Sequence, residues 1–580
     1  MIVLGLNTFH ADSSAALLRD GVLIAAAEEE RFRRIKHWAG FPAQAMAYCL
    51  AEAGIRLSDV DSIAVNQDSQ ANFAGKLGFL LTSRPRLGLI ASRLRNRRAR
   101  TSFPELIARS FPADAFAGTI ERVEHHLAHL SSAFHVSPFD EAVAVSVDGF
   151  GDFASAAWGP GAGGRIDLAG RVSFPHSLGI FYQTLTQYLG FPLYGDEYKV
   201  MGLAPYGAPS RLDDMRKILR LKSDGSFALD LRYFRHHREP VGFQWDGGAP
   251  AFGDLFTPEL EGLLGPRRPP EAAIEQRHRD VAYAAQAMYE EAFFHLLNAL
   301  HPRFNSSNLA LAGGCAMNSV ANGKIRRVTP FRQVYVSAAA GDAGGAIGAA
   351  FAVWHRHGGK RSFAMDHAYW GPHYGADAIA AAIADRNAEI AAAGCTMERG
   401  ADEGALCARV AAAIAADEVV GWFQGRMEWG PRALGNRSIL GDPRRADMKE
   451  ILNRAIKRRD SFRPFAPSVL AEFAADWVED AGDVPFMSEV VPVRADKRAL
   501  VPAVTHVDGS ARPQTVTRSA NPLYHRLIET FRKLTGVPML LNTSFNENEP
   551  VVCTPAEALD CFLRTGMPML VMGDTILRRR

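Results

Sequence analysis

Two apolar runs of the same design constrain the fold more than any other feature of the chain. Ile2-Val3-Leu4-Gly5-Leu6-Asn7 opens it and leads, through the turn signal Arg19-Asp20-Gly21-Val22, into Leu23-Ile24-Ala25-Ala26, a strand, turn, strand beginning. Ala142-Val143-Ala144-Val145-Ser146-Val147 repeats the idea, running into the glycine loop Asp148-Gly149-Phe150-Gly151-Asp152 and then a second apolar stretch, Phe153 to Trp158. A half-domain occurring twice is therefore expected. Phe41 to Ala53 and Glu124 to Phe134 carry helical spacing, and Val281 to Leu300 is an alanine-rich helix candidate. Leu309 to Gly314 and Val334 to Val336 read as further strands running into loops of small residues. Strands alternating with helices predict an α/β architecture.

A chain of 580 residues exceeds what one core usually organises. The turn formers Tyr369-Trp370-Gly371-Pro372-His373-Tyr374-Gly375 follow the apolar helix Gly344 to Trp354 and put the expected boundary between domains 1–370 and 371–580. Alternation resumes with Glu403 to Asp417 and Val419 to Phe423, and ends at Leu570 to Ile576. With 65 Lys and Arg against 63 Asp and Glu, the net charge of +2 carries no global bias toward nucleic acid. No apolar run is long enough to span a membrane, and Met1 enters the first strand without a basic leader, so a cytoplasmic enzyme is expected. The arginines between Arg84 and Arg100 read as an RNA patch, a solvated helix or the rim of an acidic-ligand site. Six cysteines without a Cys-x-x-Cys pair argue against a zinc ribbon or a disulfide framework.

Three clusters carry chemistry. In Glu124-His125-His126-Leu127-Ala128-His129, the four-residue spacing of His125 and His129 puts both imidazoles on one helix face, which suits one metal ion. Two imidazoles need a third group, and Asp342, in a small-residue loop after a strand, is the natural candidate. Histidines packed in the core or on a solvated face are the alternative. Asp148, Gly149 and Gly151, then Gly313, Gly314 and Asn318, with Gly341 in a third loop, follow apolar strands where glycine lets backbone amides approach a phosphate. They suggest a nucleotide cleft of the actin and sugar-kinase kind, or else plain tight turns. The third cluster joins Arg432 in Gly430 to Ser438 with Lys457 and Arg463 in Lys457 to Pro467. Arginine forks match phosphate and carboxylate while lysine supplies a point charge, so the mixture suits an acyl phosphate with a nucleotide. Arg512 and the loop Asn542 to Asn546, with Ser544, would complete it; a basic surface stripe is the plainer reading.

With these residues the chain resembles, nearly end to end, the NodU/CmcH family of antibiotic and nodulation-factor O-carbamoyltransferases. The marks are His10-Ala11-Asp12-Ser13, Glu28 to Phe32 with Lys36-His37, His125 to His129, Gly195 to Leu203, Gly430 to Ser438, Phe462 to Pro467 and Asn542 to Asn546. Arg459-Asp460-Ser461 departs from the family's usual Arg-Glu without touching a chemical role. The resemblance implies a duplicated actin-like (ASKHA, TsaD-like) amino-terminal domain and a YrdC-like α/β carboxy-terminal domain. It implies that the second makes carbamoyl-adenylate from carbamoyl phosphate and ATP, with Mg2+, and the first passes the carbamoyl group to a hydroxyl-bearing small molecule. By position it makes His125, His129 and Asp342 ligands of Fe2+, His10 an acceptor-site base or orienter, and Arg432, Lys457, Arg463, Arg512 and Ser544 the adenylate pocket. A tRNA threonylcarbamoyl-type modifier and a non-catalytic actin-like nucleotide binder are the rival readings. Neither the acceptor nor the oligomeric state follows from the sequence.

Overall fold

The computed structural model describes residues 1–83, 103–239, 241, 248–457, 462–480 and 482–579. The arginine-rich stretch from Arg84 to Arg100 and the segment Arg458 to Ser461 lie outside the described residues. The chain divides into two compact units, Met1–Ala321 with Ile325–Met365, and Asn322–Lys324 with Asp366–Arg580. No helix among the described residues is long and apolar enough to cross a membrane.

In the first unit, strands β1 (Ile2–Asn7), β2 (Ser14–Arg19), β3 (Val22–Glu28), β4 (Ser62–Val65) and β5 (Thr119–Arg122) lie in the order β3-β2-β1-β4-β5. β1, β2 and β3 form an antiparallel meander, while β4 runs parallel to β1 and β5 parallel to β4. The helix His125–Phe134 follows β5.

The second copy begins with β6 (Glu141–Gly151), β7 (Ala154–Ala162), β8 (Arg165–Ile166) and β9 (Gly170–Ser173). After a hairpin of β10 (Leu219–Leu221) and β11 (Phe227–Leu229) it closes with β12 (Asn308–Ala312) and β13 (Gln333–Val336). β9 and β7, then β7 and β6, pair antiparallel, while β12 runs parallel to β6 and β13 parallel to β12. Order and polarity therefore reproduce the first sheet, and the duplication expected from the sequence is present. The helix Gly344–Arg356 stands after β13 as His125–Phe134 stands after β5. The two helices meet where a Cβ on Gly348 would lie 1.8 Å from the Ala128 carbonyl oxygen, so the small residues of this helix are what let the backbones touch.

The long helix runs Gln276–Phe304, beyond the expected Val281 to Leu300. Its polar first turn escapes apolar periodicity but is held by a bond from the Glu275 amide to His278 Nδ1, 3.0 Å long.

The second unit is built on one mixed sheet of eight strands. These are β14 (Cys395–Arg399), β15 (Val420–Phe423), β16 (Arg437–Gly441), β17 (Ala466–Leu470), β20 (Gln514–Val516), β21 (Met539–Ser544), β22 (Met569–Met572) and β23 (Thr575–Arg579), with β18 (Val491–Pro492) and β19 (Ser510–Ala511) as a separate pair. The order is β14-β23-β22-β15-β16-β21-β17-β20. Ser438 of β16 and Ala466 of β17 pair antiparallel to Ser544 and Asn542 of β21, and β20 runs parallel to β17. The starts of β16, β17 and β20 and the end of β21 therefore share one end of the sheet. Trp422, Leu540, Phe531 and Phe562 fill the core beneath it.

Candidate functional site

The first site starts at the head of the helix His125–Phe134. Glu124 caps it by accepting the Leu127 amide at 2.8 Å, and the Asp152 carboxylate accepts the His125 amide at 3.0 Å. One turn apart, His125 and His129 bring their Nε2 atoms to 3.0 Å. Asp148, on β6, places Oδ2 at 3.1 Å from His125 Nε2 and 3.4 Å from His129 Nε2. Asp342 Oδ1 lies 3.4 Å from His129 and 3.6 Å from His125, buried and without a hydrogen-bond partner. The four ligand atoms fall within 4.8 Å of one another.

The spacing of the histidines and the choice of Asp342 thus lead to one cluster, and Asp148 joins it from a loop that the sequence pattern reads as nucleotide-binding. Its other oxygen accepts the Gly314 amide at 2.8 Å, so Gly314 supports a carboxylate of the chain itself. His126, between His125 and His129 in sequence, turns away to Ser146 Oγ at 2.9 Å; burial, with His125 and His129 nearby, lowers it to about 3. Burial alone would lower the His129 imidazole too, but the Asp148 and Asp342 carboxylates, each 3.4 Å away, outweigh it and lift it to about 10. Two carboxylates, one buried and one half-buried, set against two buried rings favour positive charge, and the cluster offers donors to a divalent cation. Ligands about 2.1 Å from a common ion lie roughly 3.0 to 3.4 Å apart in octahedral or tetrahedral geometry, and the separations of 3.0, 3.1, 3.4 and 3.4 Å match this while His125 to Asp342, at 3.6 Å, lies just beyond it. The donor set of two imidazoles and two carboxylates fits a borderline first-row metal.

The remaining first-unit candidates have mixed placements. His10 is 8 % exposed and its ring lies 4.9 Å from that of His125. Gly151 gives His125 room, since a Cβ there would meet the ring at 2.0 Å. Gly313, at φ +88°, passes 2.2 Å from the Val147 carbonyl oxygen by the same measure, whereas Gly149 faces open space. Gly341 would meet Met317 Sδ at 3.3 Å. Asn318 exchanges hydrogen bonds with Gln286 at 3.0 and 3.1 Å, a structural bond inside the unit. His37 Nδ1 binds Asp12 Oδ1 at 2.8 Å, and the His37 amide donates to Glu30. That pairing escapes sequence reading because it depends on left-handed backbone at both Asp12 and His37.

In the second unit, the candidates gather at the shared end of the sheet. Arg432 precedes β16, Arg463 precedes β17 and Arg512 precedes β20, all half-buried, and Ser544 ends β21. Lys457 is 2 % exposed, and its ammonium donates to the Ser544 and Asn546 carbonyls at 2.5 and 2.7 Å and to Asn546 Oδ1 at 2.6 Å. It clamps the Asn542 to Asn546 loop, a place unlike the ligand-facing one that its company with Arg463 predicts.

A residue outside the expected set shapes the arginine loop. Buried Glu428 accepts the amides of Leu434, Asn436 and Arg437 at 2.8, 2.8 and 3.1 Å on one oxygen. The loop's carbonyls are held from the other side: Ala433 by Asn542, Leu434 by Gln514 and Tyr369, Gly435 by Trp422. Arg437 is fully buried, its guanidinium 3.7 Å over the Phe423 ring, and it ties Gln424, Gly425 and Pro372 together through their carbonyls.

The family model "Carbamoyltransferase N-terminus" matches residues 2–351, and "Carbamoyltransferase C-terminus" matches 411–579. The chain is 39% identical to an uncharacterised protein of Synechocystis sp. over 617 residues, covering 100% of this chain and 96% of that one. It is 39% identical to nodulation protein NolNO of Sinorhizobium fredii over 99% of this chain and 80% of that one. Nodulation protein NolO of Bradyrhizobium diazoefficiens is 40% identical over 79% of each. With both family regions matched in order and relatives aligned over most of their length, the chain belongs to the carbamoyltransferase family and is an enzyme that moves a carbamoyl group from a donor to an acceptor.

Proposed function

We propose that the chain is an ATP-dependent O-carbamoyltransferase that works in two stages, adenylate formation in a YrdC-like second unit and transfer in a TsaD-like first unit. In the first stage water releases phosphate from carbamoyl phosphate, and a carbamate oxygen attacks the α-phosphorus of ATP, Mg2+ accompanying the nucleotide. Carbamoyl-adenylate forms and pyrophosphate leaves. Arg432, Arg463 and Arg512 bind the phosphate oxygens, and Lys457 holds the loop that carries Ser544 against them. In the second stage an acceptor hydroxyl attacks the carbamoyl carbon and AMP leaves. His10, beside His125, takes the hydroxyl proton.

The observation that carries this reading is the convergence of His125, His129, Asp148 and Asp342 on one point of the transfer unit. These four residues would hold Fe2+, which supplies Lewis-acid stabilisation of charge developing on oxygen during transfer. The acceptor is an alcohol of a sugar or secondary metabolite. Incubation with ATP, carbamoyl phosphate and ferrous iron against a panel of such alcohols should release pyrophosphate and add one carbamoyl group to a member of the panel. Release of pyrophosphate only with threonine and bicarbonate would overturn the proposal in favour of tRNA modification.

A further inference from the structure

The turn that joins β6 to β7 is two residues long, and both are left-handed, Asp152 at φ +45° and Phe153 at φ +72°. A hairpin turn of this kind favours Asn-Gly, and a bulky residue there is strained. Such strain persists where surrounding contacts determine the geometry. Phe153 is held among Phe79 and Phe174, with ring centroids 5.8 and 5.3 Å away. That anchor aims Asp152 at the head of the ligand helix, where Oδ2 accepts the amides of His125 at 3.0 Å and Asp68 at 2.7 Å. Its backbone carbonyl accepts Asn72 Nδ2 at 2.8 Å.

Asp152 therefore joins three elements: the strand that carries Asp148 four residues earlier, the helix that carries His125 and His129, and the loop after β4. We propose that Asp152 is a positioning residue for the metal centre, fixing the distance between the Asp148 strand and the two imidazoles. It coordinates nothing; it acts through the His125 amide. Groups that orient ligands in this way typically change metal affinity 10- to 100-fold when removed. The inference rests on the metal reading above.

Cobalt(II) titration of the full chain, followed by its d–d absorption, tests it. Asp152→Gly removes both hydrogen bonds while relaxing the left-handed backbone, so it separates positioning from turn strain. It should weaken cobalt binding at least 10-fold and change the absorption band. Asp152→Asn keeps an acceptor oxygen and a side chain at home in left-handed backbone, so it should fold and stay within about threefold of the parent. Parent-like affinity and spectrum in Asp152→Gly would overturn the inference and leave the metal reading standing. A 10-fold loss in Asp152→Asn would also overturn it, assigning the effect to charge. A parent protein that takes up no cobalt would instead remove the metal reading, and this inference with it.

Discussion

His125 and His129 face one another through Nε2 atoms 3.0 Å apart, closer to each other than either is to Asp342. Two ring nitrogens turned together beside two carboxylates offer four donors to one cation. Anaerobically prepared protein should hold one iron per chain by elemental analysis. His129→Ala should lose most of it, and Asp148→Asn, which keeps an acceptor for the Gly314 amide, should weaken retention about 10-fold or more. Full retention in both variants would remove the assignment.

The two stages should separate by mutation. Arg463→Ala should abolish pyrophosphate release, since truncating one partner of a charge pair that the bound ligand desolvates costs on the order of 2 to 5 kcal/mol. Supplied with synthetic carbamoyl-adenylate, it should still carbamoylate the acceptor. His125→Ala should do the reverse, releasing pyrophosphate without product. Loss of both half-reactions in both folded variants would point to a single composite site.

Glu428 gives a sharper contrast between neighbouring substitutions. Glu428→Gln retains an oxygen for the three amides and should keep both melting temperature and pyrophosphate release close to the parent. Glu428→Ala leaves three buried donors unsatisfied, each costing roughly 1 to 3 kcal/mol, and should lower both. Equal behaviour of the two variants would deny the carboxylate its place in shaping the arginine loop.

Burial alone would lower the His37 imidazole, but Asp12 at 2.8 Å, with Glu30 and Glu197, outweighs it and raises it to about 9. Because the folded value stands above the unfolded value near 6.5, the stabilisation is fully present below about pH 6.5 and is lost as pH rises through about 9. The melting temperature of the parent should fall more steeply than that of His37→Gln across this window. Parallel profiles would show that the Asp12 pairing contributes nothing to stability.

Much of the first site was legible because its signals are local. A four-residue spacing declares His125 and His129, and a strand ending in small residues exposes Asp342. Asp148 was visible only as the start of a glycine loop, since what turns it toward the histidines is the Gly314 amide, 166 positions further on. The same holds for Lys457, whose acceptors Ser544 and Asn546 come from a distant strand end, and for Glu428, an unremarkable residue before a turn until its three amides are seen. Periodicity placed the helices well where one face is apolar, and missed the first turn of Gln276–Phe304, which is polar and held by its cap.

The repeated sheet has a consequence for inheritance. The half that ends with the helix His125–Phe134 contributes two donors to the cluster, His125 and His129, and the half that runs from β6 to the loop before Gly344–Arg356 contributes the other two, Asp148 and Asp342. Neither half holds the whole cluster. Each half carries only two of the four donors, so the cluster is a property of the joined pair, and a recombination that replaced one half with a stranger would erase it even if every strand still folded.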